Sequence, residues 1–157
     1  MLKSSLTLLA ALLLFGCASA DKPADQQTAD PETRVVAYLD KTVTPGKPVL
    51  VTQLYSEVFT TEEDQMAVKR LYDSLFQLPA FVAKTYTGSG HIPTQEEITQ
   101  HFSFKVPGTT QVLMRILESD PRVPRFFERN ASGEITAVNV DAIRNAERFG
   151  APLQDQK

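Results

Sequence analysis

The sequence reads PTQEEITQHFSFKVPGTTQVLMRILESD over residues 93–120, and this stretch predicts two short helices joined by a turn. Thr94 and Glu97 have the spacing of a capping box, in which each side chain accepts a hydrogen bond from the other residue's backbone N–H. The predicted turn contains Pro107 and Gly108, two residue types that favour turns. Apolar residues then recur at helical spacing, which predicts a second helix with one buried face.

A β-hairpin is predicted directly downstream, over residues 126–138, FFERNASGEITAV. Its four-residue turn ends in a glycine, where a left-handed backbone conformation is favoured. Helix, turn, helix and hairpin follow one another in the order of a winged helix, and residues 93–138 resemble that fold. In this resemblance PTQEEITQHF is the scaffold helix, PGTTQVLMRILESD the recognition helix and FFERNASGEITAV the wing. We therefore predict a small, mostly helical α+β domain with a winged-helix-like half.

The clearest single-helix signal lies upstream and begins at the cluster TTEED, residues 60–64. Thr60 and Glu63 predict a capping box, and acidic side chains are favourable near the positive end of the helix dipole. Pro79 is expected to kink or divide the helix because proline lacks a backbone N–H. A stripe of apolar residues at helical spacing predicts a face packed in the core: Val68, Leu71, Leu75, Leu78 and Val82.

Two further elements are predicted near the ends of the domain. Apolar stretches on both sides of Pro45 and Gly46 favour an N-terminal β-hairpin, although residues 35–39 are equally compatible with a short helix. A last short helix is expected from Asp141 to Phe149, ended by Gly150. The hairpin and the helix remain alternatives for residues 35–39 at this point.

The first 17 residues carry a targeting signal. Lys3 precedes an apolar run of about ten residues, well short of the roughly twenty that span a membrane. The run ends in LFGC, residues 14–17, and this ending resembles the lipobox of bacterial lipoproteins. The resemblance implies removal of a signal peptide, residues 1–16, by cleavage between Gly16 and Cys17, and lipidation of the Cys17 thiol. The alternative is an ordinary secretory signal cleaved after residues 18–20, which would release a soluble chain.

The processed chain is predicted to consist of a tether and one domain. Residues 17–34 lack large apolar side chains beyond the cysteine and predict a flexible tether. Residues 35–150 form the predicted globular domain, with 93–138 as its winged-helix-like half, and residues 151–157 form a tail. In enteric lipoproteins an aspartate after the cysteine favours the inner membrane, so the alanine found there implies the outer membrane. The membrane is thus one expected partner, through the lipidated cysteine.

The charge balance argues against a nucleic-acid partner. The 157 residues contain 16 basic and 19 acidic side chains, a net charge of −3 at neutral pH. Loss of Lys3 with the signal peptide leaves 15 basic against 19 acidic residues, a net charge of −4. Nucleic acids are held by many basic contacts to phosphate, so we expect instead a protein partner in the envelope. Its predicted interaction surface lies on the second helix and the loop after it: Thr110, Gln111, Met114, Arg115, Arg122 and Arg125.

No catalytic or metal-binding motif accompanies the two histidines, His91 and His101. We therefore predict a non-enzymatic interaction or scaffold module without a cofactor. Two alternatives stay open. A small envelope hydrolase would need some of His91, His101, Glu118 and Asp120 to converge. A carrier of an apolar ligand would need a pocket between the helix around residues 71–82 and the hairpins.

Overall fold

The computed structural model describes residues 29–148. The predicted signal peptide, the cleavage site at Gly16 and Cys17, most of the tether and the C-terminal tail lie outside the described residues. The predicted ending of the last helix at Phe149 also lies outside them. The described residues therefore cover the predicted domain and the last few residues of the predicted tether.

The described part of the chain is mostly helical and contains one small antiparallel sheet. Its helices are α1 (Pro31–Thr42), α2 (Val51–Gln53), α3 (Glu62–Ser89), α4 (Gln95–Phe102), α5 (Thr109–Ser119) and α6 (Val140–Arg148), with a π-helical turn at Leu54–Val58. The strands are β1 (Phe127–Arg129) and β2 (Ile135–Val138). The predicted α+β class is confirmed.

The winged-helix-like half has the predicted order α4, turn, α5, hairpin. The capping box of α4 is formed: Thr94 Oγ1 accepts from the Glu97 N–H at 3.2 Å, and Glu97 Oε2 accepts from the Thr94 N–H at 2.7 Å. Gly108, with φ +82°, turns the chain into α5 in a conformation that favours glycine. The hairpin pairs Phe127 with Val138 in antiparallel register. Local sequence signals thus predict the elements of this half of the fold correctly.

A single hydrophobic core joins the helices around α3 and α5. Helix α1 packs against both, α4 packs against α5, and α6 packs against α3. The predicted apolar stripe of α3 lies in this core, since its five side chains are at most 3% exposed. Every helix of eight or more residues in the described range contributes a buried side chain to the core: Leu39, Leu75, Ile98, Leu113 and Ile143 are examples. The winged-helix-like half is therefore part of one larger packing unit.

The predicted N-terminal hairpin is wrong, because residues 35–39 lie in α1. Asp30 caps this helix by accepting from the Thr33 N–H at 3.2 Å, and Pro31 occupies the first turn, where its missing N–H is not needed. The predicted turn does form: Thr44 and Lys47 make an isolated bridge, with Gly46 at φ +77°. No strand extends from this bridge within the described residues, and residues 51–58 are helical.

Helix α3 differs from its prediction in two details. Its N-cap is Thr61, which accepts from the Asp64 N–H at 3.3 Å, so the capping pair predicted from Thr60 and Glu63 is displaced by one residue. Pro79 lies inside a continuous helix of 28 residues and does not divide it. Proline inside a helix costs about 3 kcal/mol. Burial of apolar side chains on both sides of Pro79 in the same core offsets this cost.

The folded domain begins earlier in the sequence than predicted. Helix α1 begins at Pro31, so residues 31–34 belong to the domain. Arg34 ties this first turn to α3, because its Nη2 lies 2.6 Å from Asp64 Oδ1 and its Nε donates to the same oxygen at 3.1 Å. The side chains of this pair are 21% and 12% exposed, so the contact is largely covered. Residues 31–34 have the polar composition of a tether, but α1 and the Arg34–Asp64 ion pair make them part of the fold.

Candidate functional site

Helix α5, the predicted recognition helix, is packed on almost every side. Helices α1, α3 and α4 all contact it. Thr110 and Met114, predicted to lie on a solvent-exposed interaction surface, are both 3% exposed, so this part of the prediction is wrong. The Thr110 hydroxyl lies 2.9 Å from that of Thr99 on α4. Local periodicity did not reveal this burial because it depends on the packing of α1, α3 and α4 against α5 in the folded chain.

The remaining polar stripe of α5 is held by contacts within the domain. Gln111 donates to the Gln95 side chain at 3.2 Å. Arg115 binds the carboxylate of Asp40 on α1. Glu118, one turn further on, pairs with Arg129 of β1. Gln111 and Arg115 are thus accessible, as predicted, but their side chains already stabilise the packing of α5 against its neighbours.

The two remaining predicted surface residues, Arg122 and Arg125, differ in their contacts. Arg122 covers the buried carboxylate of Asp120, with Nη2 2.6 Å from Oδ2 and side-chain exposures of 72% and 1%. The hydrogen bonds from Arg122 lower the pKa of Asp120, and they outweigh the opposing effect of burial. Arg125 is exposed and makes no hydrogen bond or ion pair with the described residues. The two arginines therefore do not form a patch of equivalent free cations.

The residues considered for catalysis lie in separate contacts. His91 Nε2 is 2.8 Å from Glu97 Oε2, and the pKa of Glu97 is lowered, first by the Thr94 backbone hydrogen bond and then by that from His91. His101 stacks on Phe81, with ring centroids 3.8 Å apart and an interplanar angle of 15°. Glu118 and Asp120 pair with different arginines, as described above. Within residues 29–148, no three His, Cys, Asp or Glu side chains are grouped to hold a metal ion.

A groove of about 670 Å³ lies where the first turns of α1 and α3 meet the turn between α4 and α5. We call it the α1–α3 groove. Its apolar lining comes from Pro31, Met66, Ala67, Val106 and Pro107. A second hollow, of about 160 Å³, lies beneath the loop after α5 and is lined in part by Arg125 and Phe127. Neither hollow lies between α3 and the β1–β2 hairpin, where a carrier of an apolar ligand would need its pocket.

Met66 is the most exposed large apolar side chain in the described part of the chain. It is 57% exposed, compared with 38% for each of Leu50 and Tyr86. Glu63, Met66, Ala67 and Arg70 have helical spacing and form one stripe of α3 along the groove. An apolar residue on the polar side of a helix was the one available sequence signal for this groove, and the sequence-based prediction missed it.

Charged side chains surround the apolar lining of the groove. Glu32 connects its three walls: Oε2 lies 3.8 Å from Arg70 Nη1, and Oε1 accepts from the Lys105 N–H at 3.4 Å. The Arg70 side chain is 68% exposed, while that of Glu32 is only 15% exposed. Glu63 and the Lys105 ammonium group are exposed and have no ion pair among the described residues. The groove therefore combines an apolar centre with unpaired charges at its rim.

The fold and the groove define a small α+β domain with a winged-helix-like half and an apolar surface groove. No protein-family model, curated protein or solved structure matches the chain. Among the described helices, none combines the length and apolarity needed to cross a membrane.

Proposed function

We propose that this chain is a lipid-anchored protein of the bacterial cell envelope whose domain binds a protein partner and catalyses no reaction. The anchoring rests on the sequence LFGC at residues 14–17, with Cys17 as the lipidated residue. Two or three acyl chains at one cysteine hold a protein stably at a bilayer, whereas one chain holds it only marginally. The alanine after Cys17 supports the outer membrane as the location.

The packing of the winged-helix-like half supports a binding surface elsewhere on the domain. A winged helix that reads DNA inserts the exposed face of its second helix into the major groove. In this chain α5 is packed between other helices, and its remaining polar stripe binds neighbouring side chains. The winged-helix-like half is therefore proposed to act as a scaffold for a surface elsewhere. The observation that carries the proposed binding of a protein partner is the exposure of Met66, which is 57% exposed in the α1–α3 groove.

The groove lies close to where the domain joins the tether. Asp30, the N-cap of α1, lines the groove and is the thirteenth residue after Cys17. At about 3.5 Å per residue, the distance from Cys17 to Asp30 cannot exceed about 45 Å. A lipid on Cys17 would thus keep the groove within this distance of the bilayer surface and among the proteins anchored there.

Replacement of Cys17 by serine tests the anchor. Cells producing the native chain or Cys17→Ser are fed a traceable fatty acid and fractionated. We expect the native chain to carry the label and to sediment with the membrane. A second Cys17→Ser chain, placed behind an ordinary secretory signal, is expected in the soluble fraction even if the first remains attached through an uncleaved signal.

The partner is tested with the same strains. The native chain is captured from detergent-solubilised envelopes at its natural expression level, and the proteins bound to it are identified. We expect one envelope protein to be enriched over a mock capture.

Equal sedimentation and labelling of the native chain and both serine variants contradicts the lipid anchor. Recovery of no protein contradicts the binding role.

A further inference from the structure

We infer that the protein that binds at the α1–α3 groove is a second copy of this chain. The two copies pair through the exposed face of the first turns of α3, about a two-fold axis at the level of Met66. This inference rests on the proposed function, because it names the protein partner. It adds a requirement that the proposed function does not contain: the binding surface is complementary to itself.

Opposite charges flank Met66 symmetrically on the exposed face of α3. We call this face the α3 stripe, and its exposed residues are Glu62, Glu63, Met66, Lys69 and Arg70. Glu62 and Arg70 each lie four residues from Met66, and Glu63 and Lys69 each lie three residues from it. Each exposed acid of the stripe thus has a base at the same distance on the other side of Met66.

A two-fold axis brings these opposite charges together. When two copies of a helix pack antiparallel about such an axis, each position before the axis faces the position equally far after it in the partner copy. With the axis at Met66, Glu62 faces the partner's Arg70, and Glu63 faces the partner's Lys69. Both contacts are repeated by symmetry, whereas a parallel pairing would set acid against acid and base against base.

The acids of the stripe have no partner within their own chain. Glu62 and Glu63 are exposed and form no ion pair among the described residues. The positions three and four residues further on, where a helical partner would lie, hold Gln65, Met66 and Ala67. The helix dipole favours acids in the first turn, but it does not account for an apolar side chain left exposed between these acids and the bases.

The bases of the stripe stay accessible although each contacts an acid of its own chain. Lys69 Nζ lies 2.6 Å from Asp73 Oδ2, and Arg70 Nη1 lies 3.8 Å from Glu32 Oε2, yet the two basic side chains are 69% and 68% exposed. An ammonium group has three N–H donors and a guanidinium has five, so each retains donors for a second carboxylate. Lys105, whose backbone N–H donates to Glu32, adds an exposed ammonium group at this end of the stripe.

The groove beside the stripe can receive Met66 of the second copy. Met66 is 57% exposed, and Val106 and Pro107 supply an apolar wall of the groove from the turn before α5. A projecting side chain next to a hollow is complementary to itself, because a two-fold rotation sets each projection against the hollow of the partner copy. Methionine suits this contact, since its unbranched side chain adapts to the shape of an apolar wall.

The lipid anchor favours a pairing of this kind. The apolar contact centres on one large side chain per copy, which is little for a dimer that forms in free solution. Two copies anchored in one bilayer meet at a high effective concentration, so a weak surface is sufficient there. The two-fold axis also places both Asp30 residues at the same level, so the tethers of both copies can lead to one bilayer.

Site-specific photo-crosslinking in the native envelope tests the inference. A photoreactive, unbranched apolar amino acid replaces Met66 in the full-length chain. A matched probe replaces Tyr86, which is also exposed but lies about 30 Å further along α3. Two forms of the chain with different affinity tags are produced together. We expect the probe at residue 66, and not that at residue 86, to join the two tagged forms through peptides of the α3 stripe or of residues 105–107.

An exchange of charges tests the antiparallel register. Glu63→Lys and Lys69→Glu each set like charges together when both copies carry the same substitution. We expect the crosslink yield from residue 66 to fall by about three- to tenfold within each variant. When one copy carries Glu63→Lys and the other carries Lys69→Glu, both contacts again join opposite charges, and we expect the native yield to return.

Lys84→Glu is the matched control for these substitutions. Lys84 is exposed on α3 outside the stripe, so its reversal is expected to leave the crosslink yield unchanged. Thermal unfolding followed by circular dichroism verifies that all three variants fold.

Each other outcome overturns the inference in a distinguishable way. Capture of a different protein at residue 66, or protein crosslinks at residue 86 alone, refutes the self-pairing and leaves the proposed binding role intact. A yield between copies that neither charge reversal lowers, or that the mixed pair does not restore, refutes the two-fold arrangement at Met66. An absence of protein crosslinks from probes at residues 66, 86, 111 and 125 refutes both the inference and the proposed binding role.

Discussion

At the scale of single residues, Asp120 shows how a buried acid is tolerated. It ends α5, and Asp120, Pro121, Arg122 and Val123 form a turn in which the Val123 N–H donates to the Asp120 carbonyl at 3.1 Å. Aspartate and proline suit the first two positions of such a turn. The Asp120 carboxylate accepts from the Arg122 backbone N–H at 2.9 Å and from its guanidinium. These bonds replace the water that burial removes.

Replacement of Asp120 by asparagine should therefore destabilise the domain in a pH-dependent way. Because Arg122 lowers the folded-state pKa of Asp120 below its ordinary 3.8, folding favours the ionised form. The resulting stability is fully present above the ordinary pKa and is lost as pH falls through the lower folded-state pKa. Since Arg122 is largely exposed and solvent screens the pair, we expect a loss of about 1 kcal/mol near pH 7. Urea unfolding measures it.

The matched control for Asp120→Asn is Asp73→Asn. Asp73 pairs with Lys69 at 2.6 Å on the surface of α3, where the two side chains are 52% and 69% exposed. An exposed pair of this kind contributes little to stability, because solvent screens the two charges. Equal effects of the two substitutions near pH 7, or a deficit of Asp120→Asn that persists unchanged near pH 2, would show that the Arg122 contact does not stabilise the fold.

At the scale of secondary structure, the prediction succeeded where the signal is local. The capping box of α4, the glycine before α5 and the glycine turn of the hairpin all lie within a few residues of the element that they define. Helix α1 was harder to predict, because the spacing of Val35, Val36 and Leu39 is compatible with either a strand or a helix. Its start signal, Asp30 followed by Pro31, lies in a polar stretch that resembles a tether.

The candidate site depends on contacts that no local pattern contains. Met114 has the spacing of a surface residue on α5 and is buried because neighbouring helices pack against α5. Met66, in contrast, is apolar but exposed, because it lies outside the core stripe of α3. The groove around it is formed by Glu32 and Lys105, residues 73 positions apart in sequence. Long-range packing, which the sequence pattern does not encode locally, decides both cases.

Leu39→Ala tests whether α1 is part of the fold or an extension of the tether. Leu39 is 0% exposed, so truncation removes buried contacts and leaves a cavity. We expect the free energy of unfolding to fall by about 2–5 kcal/mol. Leu50→Ala is the matched control, since Leu50 is 38% exposed and its truncation should change stability by less than about 1 kcal/mol. Indistinguishable urea midpoints for the two variants would place α1 outside the cooperative domain.

At the scale of the whole molecule, the core and the groove depend on the same helices. The core runs from Val35 on α1 to Ile143 on α6, and the groove lies between α1, α3 and the turn before α5. No separate core supports the winged-helix-like half in the described structure, because its Leu113 and Ile98 pack in the common cluster. Loss of α1 would therefore remove a wall of the groove and uncover α5 at once.

This coupling predicts that the domain unfolds in one transition. The chain contains no tryptophan, so Tyr38→Trp places a single fluorescent probe on α1, where Tyr38 packs edge-on against Phe59. Circular dichroism reports mainly on the other helices, α3 above all, because it is the longest. We expect the two signals to change at the same urea concentration, since helices that share one core unfold together. Fluorescence that changes at a lower concentration would identify α1 as a separate unit. The groove would then be lost before the rest of the fold, and partner binding would be the first property to fail as the domain is destabilised.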